Sequence, residues 1–255
     1  MAVRSDLTGP VGVITLDRPR ANAFDRAQLD ALAAAVAAAE STASLRALVL
    51  RAEGDVAFSA GADLSATGPL AEPDGLRRWT GQARAMLDAI ERLPIPVIAA
   101  LARPAAGGGF ELALACHIRV LSAAAHVSLP EILRGYLPSW GAVERLLPLV
   151  GPAVTRDLLL SGRRVPAAEA HRLGLVDELA EDAEGRALEL ARELAERPPL
   201  AVSALLAQLR AGATLSKAEL RDVELGDLER LVRTEDTVEG VLAFFEKRVP
   251  QFRGR

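Results

Sequence analysis

Residues 107–116 read Gly-Gly-Gly-Phe-Glu-Leu-Ala-Leu-Ala-Cys, three glycines that lead straight into an otherwise apolar run. The apolar run predicts a buried helix. The glycines carry no side chain, so the backbone at the helix start can approach a ligand closely. Free N–H groups at a helix start favour negative charge. The stretch therefore predicts a core helix whose first turn faces a polarised or anionic group.

Two carboxyl groups accompany this stretch. Glu111 lies inside the apolar run, and Glu131 follows twenty positions later, after Leu129-Pro130. A carboxylate buried without a partner costs several kcal/mol or takes up a proton. Bare amides can hold a developing oxyanion and two carboxylates can move protons, which is what proton chemistry beside a carbonyl requires. The alternatives are that Glu111 reaches the surface from one helix face and that Glu131 is a surface loop residue.

Strands and helices alternate along the first two thirds of the chain. Short β-branched or apolar runs predict strands, and longer runs with apolar residues at helical spacing predict helices. The predicted strands cover residues 11–16, 46–51, 97–101, 120–121 and 175–176, and the predicted helices cover residues 26–40 and 74–92. Such alternation is typical of βαβ-type units with right-handed crossovers, so we expect an α/β fold.

The last part of the chain has a different pattern. From about residue 183 the strand signals stop, and the remaining sequence is helical with a break at Pro198-Pro199. A chain of 255 residues fits one large domain or one domain with a helical appendage. We predict an α/β core over residues 1–190 and a helical C-terminal region over residues 191–255.

The composition argues against some functional classes. Half of the residues are hydrophobic and a quarter are charged, so the chain can form a sizeable core. The net charge of −4 gives no electrostatic footprint for nucleic acid or an anionic membrane. Lysine occurs only at Lys217 and Lys247, so 28 of the 30 basic residues are arginine. Together with the many alanines, this bias is typical of a GC-rich bacterial genome.

The single cysteine, Cys116, excludes an intrachain disulfide and favours a reducing, intracellular compartment. The three histidines lack ligand spacing, so we expect no metal site. The N-terminus has no basic segment followed by an apolar one, and no run approaches the roughly 18 apolar residues that span a bilayer. We therefore expect a cytoplasmic protein without a signal peptide or a membrane span.

A third stretch completes the pattern. Residues 57–63 read Ala-Phe-Ser-Ala-Gly-Ala-Asp, a loop of small residues upstream of the glycine run. In this order, the stretches resemble the enoyl-CoA hydratase/isomerase (crotonase) superfamily, and the resemblance covers nearly the whole chain. Further motifs that carry it are Ile14-Thr15-Leu16-Asp17-Arg18-Pro19 with Asn22-Ala23, Pro96-Val97-Ile98-Ala99-Ala100, Glu169-Ala170 with Gly174-Leu175-Val176, and Ala243-Phe244-Phe245-Glu246-Lys247-Arg248.

The resemblance implies a crotonase-like spiral of ββα units with a helical C-terminal region that packs homotrimers, often paired into homohexamers. It implies an acyl-CoA thioester as substrate, an enolate held in an oxyanion hole, and no cofactor apart from the coenzyme A of the substrate. By position, the amides of Ala62 and Gly108 match the oxyanion hole. Glu111 and Glu131 match two glutamates that hydratases place on the attacking water, one as base and one as the acid that protonates the α-carbon.

Other positions match residues that bind the acyl-CoA. They are Ala23, Ala60, Asp63, Leu64, Ser139, Trp140, Phe244 and Lys247. Phe244 and Lys247 match positions where the tail, often from a neighbouring subunit, meets the nucleotide part of coenzyme A. An ammonium group suits phosphate there. The alternatives are core packing for Phe244 and a solvated helix end for Lys247.

Several residues depart from the family pattern. Ser139 stands where a glycine amide of hydratases helps to position water, and serine has the same amide but a narrower backbone range. Trp140 adds bulk near the acyl pocket, and Tyr136 brings a hydroxyl nearby. His117 replaces an aspartate, which favours a rewired local hydrogen bond over a catalytic histidine.

Functions from different classes stay open. The leading prediction is hydration of a 2-enoyl-CoA to a 3-hydroxyacyl-CoA. One alternative is another crotonase-type reaction: double-bond isomerisation, or hydrolysis or decarboxylation of a specialised thioester. Another alternative is a non-catalytic binding subunit or an RNA-binding relative. The two lysines and the negative net charge argue against RNA, and the presence of both glutamates argues against a retired active site.

Overall fold

The computed structural model describes residues 2–66 and 74–255. The strands are β1 (Val3–Asp6), β2 (Val11–Leu16), β3 (Ala47–Ala52), β4 (Val97–Leu101), β5 (Ala105–Ala106), β6 (Ile118–Ser122), β7 (His126–Ser128), β8 (Arg164–Pro166) and β9 (Glu178–Ala180). The helices are α1 (Arg26–Ser41), α2 (Gly75–Arg92), α3 (Gly108–Ala115), α4 (Ala142–Ser161), α5 (Ala167–Arg172), α6 (Ala183–Ala195), α7 (Pro199–Ala211), α8 (Lys217–Leu231) and α9 (Glu235–Glu246). Short 3₁₀ helices cover Leu64–Ala66 and Pro130–Arg134.

The described strands form two sheets. The larger sheet has the order β1-β2-β3-β4-β6-β9. In this sheet β1 is antiparallel to β2, and every other neighbouring pair is parallel. The smaller sheet has the order β5-β7-β8, in which β5 is parallel to β7 and β7 is antiparallel to β8.

The chain visits the two sheets in turn and then enters a helix. After β4 of the larger sheet it forms β5 of the smaller sheet and then α3. After β6 it forms β7, the 3₁₀ helix Pro130–Arg134 and α4. A similar unit starts with β3, because Ser59 makes a bridge to Ala105 before the chain reaches α2. This repeated ββα order is the one that the sequence analysis predicts.

The larger sheet is buried on both faces. Along β3, Leu48 and Leu50 belong to the main hydrophobic core, whereas Ala47 and Val49 belong to a second hydrophobic cluster. Successive side chains of a strand point to opposite faces, so both clusters pack on the same strand. The second cluster includes one face of α6, which contributes Ala183, Ala187 and Ala191. Burial on both faces explains why residues 47–50 form a continuous apolar run between two arginines.

Most of the predicted elements are confirmed. They are the strands at residues 11–16, 46–51, 97–101 and 120–121 and the helices at residues 26–40 and 74–92, each within one or two residues of the observed bounds or inside them. The strand predicted at residues 175–176 is wrong, because β9 begins at Glu178. Leu175 and Val176 instead pack in the main core, and the Leu175 amide donates to the carbonyl of Ala170 at the end of α5.

From Ala183 onward, helices are the regular elements of the chain, as predicted. Ser216 and Glu219 form a capping box at the start of α8, yet α8 has no buried residue. The predicted boundary at residue 190 falls inside α6, and the division into a core and a C-terminal region stays a prediction. Among the described residues, no helix combines the length and the apolar character that crossing a bilayer requires.

Candidate active site

Two backbone amides face a common cavity at the start of α3. Gly108 supplies the first amide of α3, which helix geometry leaves without an acceptor inside the helix. In the neighbouring loop, the amides on either side of Ala62 already have hydrogen-bond acceptors. The Gly61 amide donates to the hydroxyl of Ser59 at 3.1 Å, and the Asp63 amide donates to the carbonyl of Phe24 at 2.8 Å. Gly61 lets the two segments approach, because a β-carbon there would lie 2.7 Å from the Gly108 amide nitrogen. Ala62 and Gly108 therefore line the same cavity from two neighbouring segments, and their joint donation to one ligand atom stays a prediction.

Arg18 braces the loop that carries Ala62. Its guanidinium donates to the carbonyl of Ala23 at 2.6 Å and to Asp63 Oδ2 at 2.7 Å, and it pairs with Asp25 at 3.1 Å. Hydrogen bonds from the Ser65 hydroxyl and from Arg18 lower the pKa of Asp63 to about 2. Asp63 is thus an ionised carboxylate that holds the loop together.

Glu111 is buried, with 1% of its surface exposed. Its Oε1 accepts hydrogen bonds from the amides of Trp140 at 2.8 Å and Ala142 at 3.0 Å. Both donors belong to the turn that leads into α4, so this turn fixes a carboxyl group that α3 supplies. The alternative in which Glu111 reaches the surface is therefore wrong.

The environment of Glu111 changes its acidity. Burial and, to a smaller extent, the nearby charge of Glu131 raise the pKa of Glu111 to about 7. The amide bonds from Ala142 and Trp140 and the charge of Arg145 act in the opposite direction. A carboxyl group with a pKa near the working pH can both take and give a proton, which suits general acid–base chemistry.

Glu131 lies in the 3₁₀ helix Pro130–Arg134 and is 5% exposed, so the alternative of a surface loop residue is wrong. Its Oε1 lies against Gly107, where a β-carbon would come 2.7 Å from that oxygen. Its Oε2 is buried and has no hydrogen-bond partner among the described residues. Burial also raises the pKa of Glu131. Buried polar atoms are normally paired, so this oxygen is suited to bind a water or a ligand atom.

A cavity of about 770 Å³ connects the amides with the two carboxyl groups. The predicted site residues that line it are Ala60, Ala62, Asp63, Leu64, Gly108, Glu111, Glu131, Ser139 and Trp140. Its volume lies in the range of roughly 300–1,000 Å³ that is typical of small-molecule sites. Ala23 is not part of this lining, and its carbonyl instead anchors Arg18 beneath the loop.

Trp140 forms one wall of the cavity. Its ring lies edge-on to Phe24, with centroids 5.5 Å apart, and edge-on to Trp79, with centroids 5.9 Å apart. The side chain is almost fully buried by these contacts, while its amide binds Glu111. Trp140 therefore links the shape of the cavity to the position of a carboxyl group. Ser139 next to it is half-buried and also faces the cavity.

Phe244 and Lys247 lie outside this cavity, at the end of α9. Phe244 is exposed and packs edge-on against Phe245, so the alternative of core packing is wrong. Lys247 ends α9 in a left-handed backbone conformation with φ of 56° and is exposed. Contact of either residue with coenzyme A held by a neighbouring subunit stays a prediction.

His117 has a structural role at the end of α3. Its Nδ1 accepts a hydrogen bond from the Val97 amide at 3.0 Å, which ties the segment after α3 to the start of β4. Burial lowers the pKa of His117 to about 4, so the ring is neutral at physiological pH. This geometry agrees with the prediction of a rewired hydrogen bond. The described residues hold no cluster of three or more His, Cys, Asp or Glu side chains that could bind a metal ion.

The sequence analysis missed the residues that support the site from behind. Arg18 braces the Ala62 loop, Trp79 packs on Trp140 from α2, and Arg145 donates to the Trp140 carbonyl at 2.9 Å. Arg145 had one signal in the sequence. It lies on the buried stripe of α4 that Ala142 and Leu146 define, where an arginine needs polar partners.

Comparison with known proteins gives the family of this site. A profile described as enoyl-CoA hydratase/isomerase matches residues 7–255. The chain belongs to the enoyl-CoA hydratase/isomerase family. A carnitinyl-CoA dehydratase of Salmonella arizonae is 38% identical, over 99% of this chain and 98% of its own. An enoyl-CoA isomerase/hydratase of Zymoseptoria tritici is also 38% identical, over 97% of this chain and 85% of its own.

The fold is that of the same family, the crotonase superfamily. The crystal structure of an enoyl-CoA hydratase from Bacillus anthracis superimposes with a TM-score of 0.95 at 32% identity, over 100% of both chains. The predicted crotonase-like fold with C-terminal helices is thereby confirmed. Family membership also indicates a crotonase-type enzyme, and an acyl-CoA thioester as substrate fits this family.

Proposed function

We propose that the protein is an enoyl-CoA hydratase, which adds water across the 2,3 double bond of a 2-enoyl-CoA thioester. The observation that carries this proposal is the convergence of Glu111 and Glu131 on the cavity that also contains the amides of Ala62 and Gly108. The names of the relatives support a water-adding or water-removing reaction on an acyl-CoA.

In this proposal the thioester oxygen accepts hydrogen bonds from the amides of Ala62 and Gly108. A donor of this kind typically stabilises the transition state by about 2.7–4 kcal/mol as negative charge develops on the oxygen. The Ala62 amide is held by the loop that Arg18 braces, and the Gly108 amide by α3. Both donors are therefore in position before the enolate forms.

The two carboxyl groups divide the proton transfers. One of them, as carboxylate, takes a proton from water while the water oxygen bonds to C3. The other, as carboxylic acid, gives a proton to C2, so that one molecule of water is added and the pair keeps one proton. The charge of Glu131 raises the pKa of Glu111, which favours this singly protonated state.

The remaining predicted residues have supporting roles in the proposal. Ala60, Leu64, Ser139 and Trp140 contact the acyl-CoA, and Ala23 and Asp63 hold the oxyanion loop through Arg18. Coenzyme A enters only as part of the substrate, and the scheme uses no metal ion and no redox cofactor. A cytoplasmic location stays a prediction from the lone cysteine.

We also propose that the chain forms a homotrimer or homohexamer. Support comes from the C-terminal helices, which leave many apolar side chains exposed. They are Leu205, Leu209, Val223, Leu225, Leu228, Val238, Val241, Leu242, Phe244 and Phe245. A neighbouring subunit that packs on this surface would also place Phe244 and Lys247 of this chain beside the acyl-CoA cavity of the neighbour.

Double-bond isomerisation is a second candidate. It is favoured by the relative named isomerase/hydratase and by Ser139, which stands where hydratases have a water-positioning glycine. Isomerisation moves one proton between two carbons and needs no bound water. It should therefore depend on one of the two carboxyl groups.

The test is turnover of crotonyl-CoA, followed by loss of the conjugated enoyl absorbance. We expect Glu111→Gln and Glu131→Gln each to lose on the order of 10²–10⁴-fold in kcat, because each removes one proton transfer. Both variants should still bind coenzyme A. Glu40→Gln, an exposed glutamate of α1, is the matched control and should keep full turnover.

Two outcomes would contradict hydration. The first is a wild-type protein that leaves crotonyl-CoA unchanged but converts a 3-enoyl-CoA to its 2-enoyl isomer. The second is a loss of hydration in only one of the two glutamine variants, since the proposal requires both groups.

A further inference from the structure

The turn between the 3₁₀ helix and α4 holds Glu111 through its backbone alone. The amides of Trp140 and Ala142 donate to the same oxygen, Glu111 Oε1. The direction of these two N–H groups therefore sets where the carboxyl group points. Any group that fixes the turn also fixes Glu111.

Arg145 is the side chain that fixes the turn. It is buried, with 7% of its side chain exposed, and its Nη1 donates to the carbonyl of Trp140 at 2.9 Å. Its own amide donates to the carbonyl of Gly141 at 3.2 Å. Arg145 thus binds two carbonyls, of Trp140 and Gly141, in the turn that supplies the amides for Glu111.

Arg145 is itself held by carboxylates. Its Nε donates to Glu91 at 2.7 Å and its Nη2 to Asp88 at 2.9 Å, both in α2, and Glu144 pairs with it at 3.3 Å. Glu144 also pairs with Arg84 of α2 at 2.6 Å. A planar guanidinium with several fixed partners has little rotational freedom, so it can hold the turn in a fixed position relative to α2.

Arg145 thus connects the turn to α2, a helix that also lines the cavity. The first half of α2 contributes Leu76, Trp79 and Gln82 to the cavity wall, and its second half contributes Asp88 and Glu91 to Arg145. The wall that meets the acyl group and the turn that holds Glu111 are therefore joined through one side chain.

We propose that Arg145 is a positioning residue, which ties the Trp140–Ala142 turn to α2 and so sets the orientation of Glu111 for proton transfer. The inference deepens the proposed function and rests on it for the catalytic readout. Arg145 touches no reacting atom in this account. It acts through the turn, and a displacement of about 1 Å at a reacting group can cost on the order of 100-fold in rate.

The experiment uses the full-length variants Arg145→Lys and Arg145→Met. Lysine keeps the positive charge but lacks the branched guanidinium that binds both the Trp140 carbonyl and the carboxylates of α2. Methionine lacks the charge and the guanidinium. We expect kcat for crotonyl-CoA to fall at least tenfold in both variants, or by about 1.4 kcal/mol, because proton transfer depends on the orientation of Glu111. KM should change less than threefold, because Ala60, Leu64 and the amides of Ala62 and Gly108 hold the acyl-CoA from outside the turn.

A second readout does not depend on turnover. The carboxyl carbon of Glu111 is followed by ¹³C NMR in protein with labelled glutamate and assigned by its absence in Glu111→Gln. The charged groups that act on Glu111 are Glu131 and Arg145, and Arg145 lowers its pKa. We therefore expect the titration midpoint of Glu111 to move upward in Arg145→Met and to move less in Arg145→Lys.

Arg119 supplies the matched control. Its side chain is 6% exposed, donates to the carbonyls of Cys116 and Leu175, and pairs with Asp177, none of which belongs to the turn. Arg119→Lys and Arg119→Met should cost similar stability but leave kcat and the Glu111 titration unchanged.

The inference is overturned if the Arg145 variants keep the titration midpoint that Glu111 has in the wild type. If the wild type hydrates crotonyl-CoA, the variants must also keep the wild-type kcat for this result to count. It is also overturned if the Arg119 variants lose kcat to the same extent. A wild type that does not hydrate crotonyl-CoA contradicts the proposed function alone, because the titration of Glu111 still tests the role of Arg145.

Discussion

Glu111 binds its proton more tightly in the folded protein than in the unfolded chain, because burial raises its pKa from 4.5 to about 7. Linkage then makes the protein more stable when this group is protonated. The contribution is fully present below pH 4.5 and is lost as the pH rises through about 7. A shift of this size corresponds to on the order of 3 kcal/mol above that pH. The same burial that prepares the group for proton transfer therefore costs folding stability.

Glu111→Gln should remove this pH dependence. The glutamine keeps an oxygen for the amides of Trp140 and Ala142 but cannot ionise. We expect the variant to gain unfolding free energy relative to wild type between about pH 5 and about pH 8, by up to roughly 3 kcal/mol. Urea unfolding at the two pH values measures the difference.

The exposed Glu40→Gln variant is the control, and its difference from wild type should not change with pH. A Glu111→Gln variant whose stability relative to wild type is the same at both pH values would show that Glu111 does not carry a raised pKa.

At the level of elements, α3 packs so closely on the Ser59 loop that only glycine fits at residue 109. A β-carbon on Gly109 would lie 2.4 Å from the Ser59 carbonyl oxygen. We expect Gly109→Ala to cost about 1–3 kcal/mol, the usual cost of overpacking. The displaced loop also carries Ala62, so turnover should fall in the same variant. Urea midpoints and kcat measure the two effects.

Gly81→Ala is the matched control for this substitution. Gly81 lies inside α2, is exposed, and has open space where a β-carbon would point. Alanine there should raise the unfolding free energy by about 1 kcal/mol through helix propensity. Equal effects of the two alanines would mean that helix propensity, and not the contact with Ser59, decides both.

The sequence predicts the long elements well and the short ones poorly. β2 and β4 are buried apolar runs, and α1 and α2 are long enough to show helical periodicity. β5 has two residues and β7 three, and β5 pairs with β7 across α3 and β6, so neither strand has a periodic signal of its own. The sequence wrongly predicts a strand at residues 175–176, because a pair of apolar residues looks the same whether it is buried in the core or in a sheet.

The candidate site, too, is predicted only in part from the sequence. Glu111 and the amide of Gly108 come from one local stretch, so the sequence alone indicates both. The support of Glu111 could not be predicted, since Arg145 binds Asp88 at a separation of 57 residues and Glu91 at 54. Only the tertiary structure, in which α2 and α4 both pack on α3, brings these side chains together. Such contacts depend on tertiary structure and leave no local pattern.

For the whole molecule, the exposed apolar surface of the C-terminal helices should determine the assembly state. Phe245 is 75% exposed and packs on Phe244, which is 78% exposed. Monomeric proteins rarely leave a contiguous apolar patch of such large side chains in water. We expect the wild type to sediment as a trimer or hexamer and Phe245→Glu to sediment as a smaller species.

Val56→Glu is the control for this measurement. Val56 is 60% exposed but lies in the loop after β3 and not on the C-terminal helices. A charge there should leave the sedimentation coefficient unchanged. Sedimentation of the wild type as a monomer at micromolar concentration would contradict the proposed assembly, as would an unchanged coefficient in Phe245→Glu.

The ββα units contribute to the site in chain order. Ala62 follows β3, Gly108 and Glu111 follow β5, and Glu131 follows β7. During synthesis on the ribosome, all of these residues, and then Arg145, are added to the chain before any residue of α6 to α9. The residues of the reaction centre and those of the proposed assembly surface are thus synthesised one group after the other. A nascent chain therefore contains every residue that lines the catalytic pocket before the apolar helices that would bind another subunit have been synthesised.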